Sequence, residues 1–309
     1  METRRKIIID TDIGDDIDDA FAILLAVLSE KFEILGITTV FRNSLHRGKI
    51  VKALLRSVGA DIPVYTGADE PIDGTVPVFP FEGTDADGKP MIPHYFPEMA
   101  AERTEAKAAE DFILDMAELY PQEVSIVALA PFTNLANAAE KRPDSFRKIK
   151  EILLMGGDGT LNFAEWNVRC DCAAAKIVFD CGADIRVCGF DITSAARLSQ
   201  EDMKKLRSLR AAPFRMLVRM MDKYINDYHE ERIPTMHDPV ALCAFLIPDK
   251  FLSEEKKLTV SLNGETRGLL CVCGESKEKS VIVKADVEGI IAYMLECFRA
   301  YDVAAKKMA

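Results

Sequence analysis

Residues 7–26 read IIIDTDIGDDIDDAFAILLA: three isoleucines, then an acidic segment, then an apolar stretch with helical spacing. A short β-branched run that ends in polar residues is typical of a buried strand, and the pattern after it predicts a helix that begins at Asp18. Six of the ten residues from Asp10 to Asp19 are aspartates. Carboxylates at this density repel one another unless a cation or protons neutralise them, so the segment indicates a metal-binding loop.

The alternation of strand and helix continues through roughly the first two-thirds of the chain. The apolar runs are continuous in hydrophobicity, which is typical of parallel strands covered on both faces. We therefore expect an α/β fold with an open, mostly parallel sheet, right-handed crossovers and helices on both faces. The predicted strands are 7–10, 34–40, 124–130, 152–155 and 185–190, and the predicted helices are 18–29, 44–58, 106–119, 134–141 and 173–181.

The last third of the chain adds a C-terminal segment with both strand and helix patterns. No internal repeat or flexible linker separates it from the rest, so we expect a single domain over residues 1–309. Residues 69–97 are rich in Pro, Gly and Asp, which predicts a long loop of the kind that often covers a binding site. The predicted helices are 212–228, 239–246 and 287–301, and the predicted strands are 258–262, 268–272 and 281–284.

The formal net charge of −11 argues against some classes of binding partner. Nucleic-acid backbones and anionic membranes are repelled by such a charge at long range, so neither is expected and a small-molecule substrate fits better. The apolar run that follows Lys6 is only three residues long, which argues against a signal peptide. No apolar stretch approaches the roughly 18 residues needed to cross a bilayer. These features predict a cytoplasmic protein.

Polar clusters follow several of the predicted strands. Ligands of open parallel sheets bind beyond the carboxyl ends of the strands, so these clusters are expected to share one edge. Helix caps and first turns account for one or two of the aspartates but not for six. Carboxylate ligands favour Ca²⁺ or Mg²⁺ over zinc, and Ca²⁺ tolerates irregular geometry better. The clusters are Asp10 with Asp12, Asn43, residues 131–134, residues 156–158, and Asp191 with Thr193.

A second acidic motif, Met236-His237-Asp238-Pro239, opens a helical pattern in the last third. Asp before Pro is a common helix start, and a lone His is usually structural. His237 is one of only four histidines, however, and beside a metal site it would supply a group that transfers protons near neutral pH. Asp238 would add another hard ligand.

Together these segments resemble the nucleoside hydrolase family of the inosine-uridine preferring type. Each motif alone is modest evidence, but their ordered succession over nearly the whole chain is specific. The motifs are DTDIGDDIDDAFAILLA at 10–26, ITTV at 37–40 with Asn43, ALAPFTNLA at 128–136, LLMGGD at 153–158, AEWN at 164–167 with Asp171, MHDP at 236–239 and VKADVE at 283–288.

The resemblance implies a nucleoside hydrolase-like catalytic domain with one Ca²⁺ ion per subunit and no organic cofactor. The ion would be held by the carboxylates of Asp12, Asp19 and Asp238 and by the backbone carbonyl of Leu129. Asp10 would orient these ligands. Asp12 would also act as the general base, and His237 would be the candidate leaving-group acid. The sugar contacts would be Asp18, Asn43, Asn162, Glu165 and Asn167.

The implied reaction is hydrolysis of the N-glycosidic bond of a nucleoside. Its transition state is oxocarbenium-like, so the site must stabilise positive charge, supply a nucleophile and neutralise the departing base. A Ca²⁺ ion that holds the cis-diol and one water would fix the attack geometry and acidify the water. Phe163, Trp166 or Tyr228 could stack on the base, although core packing explains each equally well. The resemblance also implies a homodimer or homotetramer.

The chain departs from the family pattern in the acidic segment. The proline that commonly follows the second aspartate is absent, and residues 15–17 replace a single residue. Asp15 and Asp16 are therefore alternatives to Asp18 or Asp19 in the site. The changes fall around the base and ribose pocket, so the sequence leaves purine and pyrimidine substrates open.

Two other classes of protein remain open from the sequence. A strand followed by Asp-Thr-Asp is similar to haloacid-dehalogenase-like phosphatases, in which Asp10 would be the nucleophile and Mg²⁺ would assist; that interpretation leaves His237 and Asp238 without roles. A non-catalytic Ca²⁺-dependent sugar-binding protein would keep the aspartates but would need no titrating group.

Overall fold

The structure is a computed structural model that describes residues 4–75, 83–227 and 233–308. One nine-stranded sheet runs through it, with twelve α-helices in the described part of the chain. The strands are β1 (Arg5–Thr11), β2 (Phe32–Thr39), β3 (Val64–Thr66), β4 (Val124–Ala128), β5 (Glu151–Met155), β6 (Ile185–Cys188), β7 (Phe251–Val260), β8 (Leu270–Val272) and β9 (Glu278–Ala285). The helices are α1 (Asp18–Leu28), α2 (Ser44–Val58), α3 (Ala109–Leu119), α4 (Thr133–Lys141), α5 (Pro143–Phe146), α6 (Trp166–Cys170), α7 (Cys172–Asp180), α8 (Phe190–Thr193), α9 (Gln200–Ser208), α10 (Ala212–Asp227), α11 (His237–Leu246) and α12 (Val287–Met308).

The sheet is mostly parallel, as the alternation of strand and helix predicts. Its strand order is β3-β2-β1-β4-β5-β6-β9-β7-β8. In this order, every neighbouring pair from β3 at one edge as far as β9 is parallel. Strand β7, by contrast, pairs antiparallel with both β9 and β8. The antiparallel strands form the C-terminal addition. The prediction of an α/β fold with an additional C-terminal segment is therefore confirmed.

The central strand β1 is covered on both faces, which explains its continuous apolar run. Ile7 and Ile9 belong to a core with the residues of α1, α10, α11 and α12, and Ile8 belongs to a second core with the residues of α3, α4 and α7. Successive side chains of a strand point to opposite faces, so a strand between two cores must be apolar at every position. This packing places the polar end of β1, Asp10 onward, at the edge where the helices begin.

Several predicted boundaries are wrong for identifiable reasons. The strand predicted at 185–190 ends at Cys188, because Gly189 precedes the short helix α8. The strand predicted at 258–262 begins much earlier, at Phe251, since the first part of β7 is polar and exposed. The helix predicted at 212–228 is present as α10 from Ala212 to Asp227, and residue 228 lies outside the described residues. No described helix is both long and apolar enough to cross a membrane.

The described residues of the predicted loop at 69–97 contain no α-helix and no strand beyond the isolated bridge between Thr84 and Pro90, and the loop ends at Pro97, where a short 3₁₀ helix (Pro97–Ala101) begins. Its second half packs on the start of α2. Asp85 accepts a hydrogen bond from Asn43 at 2.9 Å, and the ring of Tyr95 stacks on His46 with centroids 3.8 Å apart. The main-chain N–H of His94 donates to the carbonyl of Gly14 at 3.0 Å. This part of the loop therefore contacts the acidic segment.

Candidate active site

A cavity of about 290 Å³ lies at the carboxyl ends of β1, β4 and β5, the edge that the polar clusters predict. Its volume is close to the lower end of the range for small-ligand pockets, about 300 Å³. Residues from both acidic motifs and from four further segments of the chain line it. The lining residues are Asp12, Asp15, Asp16, Asp18, Asp19, Leu129, Met155, Phe163, Glu165, Trp166, Asn167, Phe190, His237 and Asp238.

Three buried carboxylates, which we call the acidic triplet, meet in this cavity: Asp18, Asp19 and Asp238. One oxygen of each lies within 4.8 Å of one oxygen of the other two. Asp18 and Asp19 open α1, and Asp238 lies in the first turn of α11, which packs against α1. Two helix N-termini therefore point their partial positive charge at the triplet.

Burial and mutual repulsion of the negative charges raise the pKa values of the three carboxyl groups. Burial raises the pKa of Asp19 to about 7. Burial, and after it the charge of Asp16, raises the pKa of Asp18 well above its ordinary value. Burial and the charge of Asp18 do the same to Asp238. A hard divalent cation would relieve this repulsion, and the oxygen donors fit Ca²⁺ or Mg²⁺ rather than a softer metal.

Asp12 and Leu129, the other predicted ligands, line the same cavity outside the triplet. Burial, then the charge of Asp19, raises the pKa of Asp12 well above its ordinary value. The Leu129 N–H donates to the Asp10 carbonyl at 2.8 Å, and its own carbonyl accepts from Asn167 Nδ2 at 3.2 Å. A carbonyl oxygen has two lone pairs, so the Leu129 oxygen retains one for an ion.

Asp10 is fully buried and does not line the cavity. Its Oδ1 accepts hydrogen bonds from Thr38 Oγ1 at 2.5 Å and from Asn134 Nδ2 at 2.8 Å. Burial raises its pKa to about 7, although both hydrogen bonds lower it. Asp10 thus connects the ends of β1 and β2 to the start of α4, which is a supporting position.

Glu165 and Asn167 line the cavity while holding its wall together. Glu165 caps α6: Oε1 accepts from the Asn167 N–H at 3.0 Å, and Oε2 accepts from the N–H groups of Gly157 and Val168. Burial raises the pKa of Glu165 to about 7. Asn167 Nδ2 donates to the carbonyls of Leu129 and Met155, so its Oδ1 is the atom left for a ligand.

His237 is held by one hydrogen bond and one ring contact. Its Nδ1 lies 2.7 Å from Thr193 Oγ1 in α8, and its ring stacks on Phe190 with centroids 5.8 Å apart. Burial lowers the pKa of His237 to about 4, so the ring is neutral at pH 7. When the Thr193 hydroxyl donates to Nδ1, the ring proton sits on Nε2.

Aromatic side chains form another part of the lining, as the sequence predicts for Phe163 and Trp166. Phe163 is 43% exposed and contacts Phe190, with centroids 4.8 Å apart. Phe190 was missed because the sequence predicts it inside a strand. Tyr228, the third predicted aromatic residue, lies outside the described residues. We call Phe163, Trp166 and Phe190 the aromatic wall.

Two predicted sugar contacts are not brought into the cavity. Asn43 caps α2, with Oδ1 accepting from the His46 N–H, and its Nδ2 donates to Asp85 and to the carbonyl of Pro90. Asn162 is exposed, and its Nδ2 lies 3.4 Å from Thr160 Oγ1 in its own turn. The side-chain amides of Asn43 and Asn162 thus make hydrogen bonds within a helix cap and a turn, outside the cavity.

The two additional aspartates also line the cavity, but each has a local partner. Asp15 Oδ2 accepts from Arg47 Nη2 at 2.6 Å, and Asp16 Oδ1 accepts from the Ile17 N–H at 2.5 Å. Neither belongs to the acidic triplet. Arg47 was missed, because a basic residue in the first turn of a helix is normally solvent-exposed and nothing in the sequence relates it to Asp15.

Comparison with known proteins agrees with this geometry. The family model described as inosine-uridine preferring nucleoside hydrolase matches residues 7–292. Uridine nucleosidase 1 of Arabidopsis thaliana is 34% identical, over 94% of this chain and 91% of that protein.

Solved structures extend the similarity to the fold. A plant nucleoside hydrolase, the PpNRh1 enzyme, matches with a TM-score of 0.81 at 28% identity, over 96% of this chain and 99% of that one. A purine-preferring ribonucleoside hydrolase from Gardnerella vaginalis matches with a TM-score of 0.80 at 26% identity, over the same shares of both chains. The family match covers nearly the whole chain and includes both acidic motifs, so this protein belongs to the inosine-uridine preferring nucleoside hydrolase family of N-glycosyl hydrolases.

Proposed function

We propose that this enzyme hydrolyses ribonucleosides to free base and ribose, with a resident Ca²⁺ ion, Asp12 as general base and His237 as leaving-group acid. The observation that carries the proposal is one cavity whose lining contains the acidic triplet, Asp12, His237 and the aromatic wall. Such a lining offers carboxylates to a sugar, a proton donor to a base and ring faces to the same base.

Asp12, Asp19, Asp238 and the Leu129 carbonyl would hold the ion. Asp18 Oδ2 accepts the Asp238 N–H at 3.1 Å, which leaves Oδ1 for a ribose hydroxyl. When bound, Ca²⁺ supplies positive charge that positions the sugar diol and acidifies a water molecule. The choice of Ca²⁺ over Mg²⁺ is part of the proposal and follows from the irregular donor set, which comes from two helix ends, a loop and a carbonyl.

Asp12 would accept the proton of the attacking water on its carboxylate. Asp12 lines the same cavity as the acidic triplet, so its carboxylate would lie beside the ion and a water bound there. The neighbouring carboxylates would stabilise the positive charge that develops on the sugar ring. Asn167 would contact the sugar through Oδ1, and Glu165 would keep the α6 wall in place.

His237 would donate from Nε2 to the departing base, with Thr193 fixing the ring orientation. Its pKa of about 4 means that the donor is a neutral imidazole at pH 7, not an imidazolium. The aromatic wall would hold the base by stacking. Because the uridine nucleosidase relative is the more similar in sequence, we propose uridine as the preferred substrate and inosine as the purine comparison.

The rival interpretations receive less support. Asp10 is buried behind the cavity and does not line it, so a phosphatase nucleophile at this position has no substrate access in the described structure. A sugar-binding protein without activity does not require the Thr193–His237 pair. The proposed homodimer or homotetramer and the cytoplasmic location remain predictions.

A panel of nucleosides assayed for free reducing sugar in phosphate-free buffer tests the proposal. The expected result is stoichiometric release of base and ribose from uridine, with loss of release in the Asp12→Asn variant. Absence of sugar release from every ribonucleoside, by folded protein supplied with Ca²⁺, would overturn it.

A further inference from the structure

Among the described residues, Arg47 is the largest side chain that is fully buried, and all three of its guanidinium nitrogens have partners. Nε donates to the carbonyl of Phe41 at 2.8 Å, and Nη2 donates to Asp15 Oδ2 at 2.6 Å. Nη1 donates to the carbonyl of Ile13 at 3.0 Å and also to the carbonyl of Asp12. A planar guanidinium can satisfy four acceptors in this way, whereas an ammonium group cannot.

These contacts anchor the acidic loop, residues 12–17, along its first half. Arg47 binds the carbonyls of Asp12 and Ile13, and the His94 N–H binds the next carbonyl, that of Gly14. Gly14 has a φ of +123°, and a Cβ there would collide with Ile92 and Ile50. Three consecutive peptide groups are therefore held in place directly after β1.

Arg47 also joins this loop to the neighbouring one. Phe41 and the residue after it have positive φ values of 76° and 64°, a strained conformation for residues other than glycine, and the Phe41 carbonyl is bound by Arg47 Nε. The Arg47 N–H donates to the carbonyl of Asn43, the cap of α2, at 3.2 Å, so the helix start determines where the guanidinium lies. One buried side chain thus connects the loops after β1 and β2.

We propose that Arg47 is the positioning residue for Asp12 in the metal site: it anchors the two peptide groups that follow Asp12 and neutralises Asp15, so that the Asp12 carboxylate is available to the ion and Asp15 is not a ligand. The inference rests on the proposed function and adds a residue outside the cavity lining to it. Partners that orient metal ligands typically change metal affinity by about 10–100-fold when they are replaced.

The test measures calcium binding to the metal-stripped protein by calorimetry with CaCl₂. It compares the wild type with two variants that leave the net charge of the site unchanged. Arg47→Lys keeps the positive charge but loses the planar guanidinium group that donates to four acceptors. The double variant Arg47→Met/Asp15→Asn removes one charge of each sign, so the net charge of the site is unchanged. Arg142→Met, which removes a partly exposed arginine that pairs with Asp115 and Glu118 away from the site, is the control for the general effect of losing an arginine ion pair.

The expected result is that both Arg47 variants bind Ca²⁺ about 10-fold more weakly or worse, while Arg142→Met binds as the wild type does. If the double variant does not fold, Arg47→Lys alone decides. Binding within about twofold of the wild type in a folded Arg47 variant overturns the inference. If the wild type itself neither binds Ca²⁺ nor releases ribose, it is the proposed function that fails.

Discussion

The main-chain N–H of Asp238 donates to Oδ2 of Asp18 across 3.1 Å, although the two residues are 220 positions apart in the chain. This bond joins the first turns of α1 and α11 and brings their carboxylates together with that of Asp19. Each acidic motif alone could be an ordinary helix start. Their meeting creates a buried group of like charges that an ion would stabilise.

Replacing Asp238 with asparagine should have opposite effects on stability and activity. Without metal, the charge of Asp238 is unfavourable, since burial and Asp18 raise its pKa. The melting temperature of the chelated Asp238→Asn protein should therefore exceed that of the chelated wild type by a few degrees, while sugar release is lost. Calorimetry with and without Ca²⁺ measures both states.

The control for this experiment is Asp302→Asn. Asp302 is a buried carboxylate whose pKa is lowered by Lys306 and by the N–H groups of Arg210 and Ala211 despite its burial. Its replacement should lower the melting temperature with and without Ca²⁺. An equal loss of stability in Asp238→Asn and Asp302→Asn would contradict the picture of a repulsive, metal-free site.

The stability of the metal-free protein should fall as the pH rises from about 4 to about 7. Asp10, Asp19 and Glu165 have folded-state pKa values raised to about 7, above their ordinary values. In that window these three carboxyl groups bind more protons in the native state than in the unfolded state. Their effect outweighs the opposite one of His94 and His237, whose pKa values burial lowers to about 4, so the free energy of unfolding decreases with pH. Denaturant titrations of stripped protein at several pH values measure it. A flat or rising profile in this window would show that these carboxylates are ionised in the native state.

Replacing His237 with alanine should slow reactions in proportion to the need for a leaving-group acid. Hydrolysis of uridine and inosine should fall by about 100-fold or more, whereas that of a 4-nitrophenyl riboside, whose leaving group needs no proton, should change little. Thr193→Val should show a smaller loss of the same pattern, because Thr193 Oγ1 orients the ring at 2.7 Å. Equal losses on all three substrates would remove the acid role from His237.

Phe190 should contribute to binding more than to the chemical step. It contacts both Phe163 and the ring of His237. Phe190→Leu keeps an apolar side chain and removes the ring, so KM for uridine should rise by about 3- to 10-fold, the range expected for one aromatic contact, with kcat little changed. A fall in kcat with unchanged KM would indicate instead that Phe190 acts through His237.

The sequence predicts the β1–α1 unit well, because a short continuous apolar run and a longer apolar stretch lie on either side of the acidic segment, as expected for a buried strand followed by a buried helix. Helix α1 begins at Asp18 as expected. It does not predict β3, which has three residues, or α9, in which only Met203 and Leu206 are buried. The sequence predicts strands in the C-terminal segment but not the antiparallel direction of β7 and β8, since strand direction depends on contacts far apart in the chain.

The sequence predicts which acidic residues form the site, but not which partner each of them has. The density of aspartates indicates a cation site, whereas the assignment of Asp15 to Arg47 depends on a helix that packs beside the loop. In the same way, the caps and turns that occupy Asn43 and Asn162 are decided by local geometry that residue type alone does not specify.

Calcium titration of uridine hydrolysis is the decisive measurement for the proposed metal site. Protein stripped of metal is supplied with increasing CaCl₂, and free ribose is measured together with bound Ca²⁺. We expect no ribose release without metal and full recovery at about one Ca²⁺ per subunit, with neither binding nor recovery in Asp238→Asn. Ribose release at the wild-type rate after exhaustive chelation would contradict it.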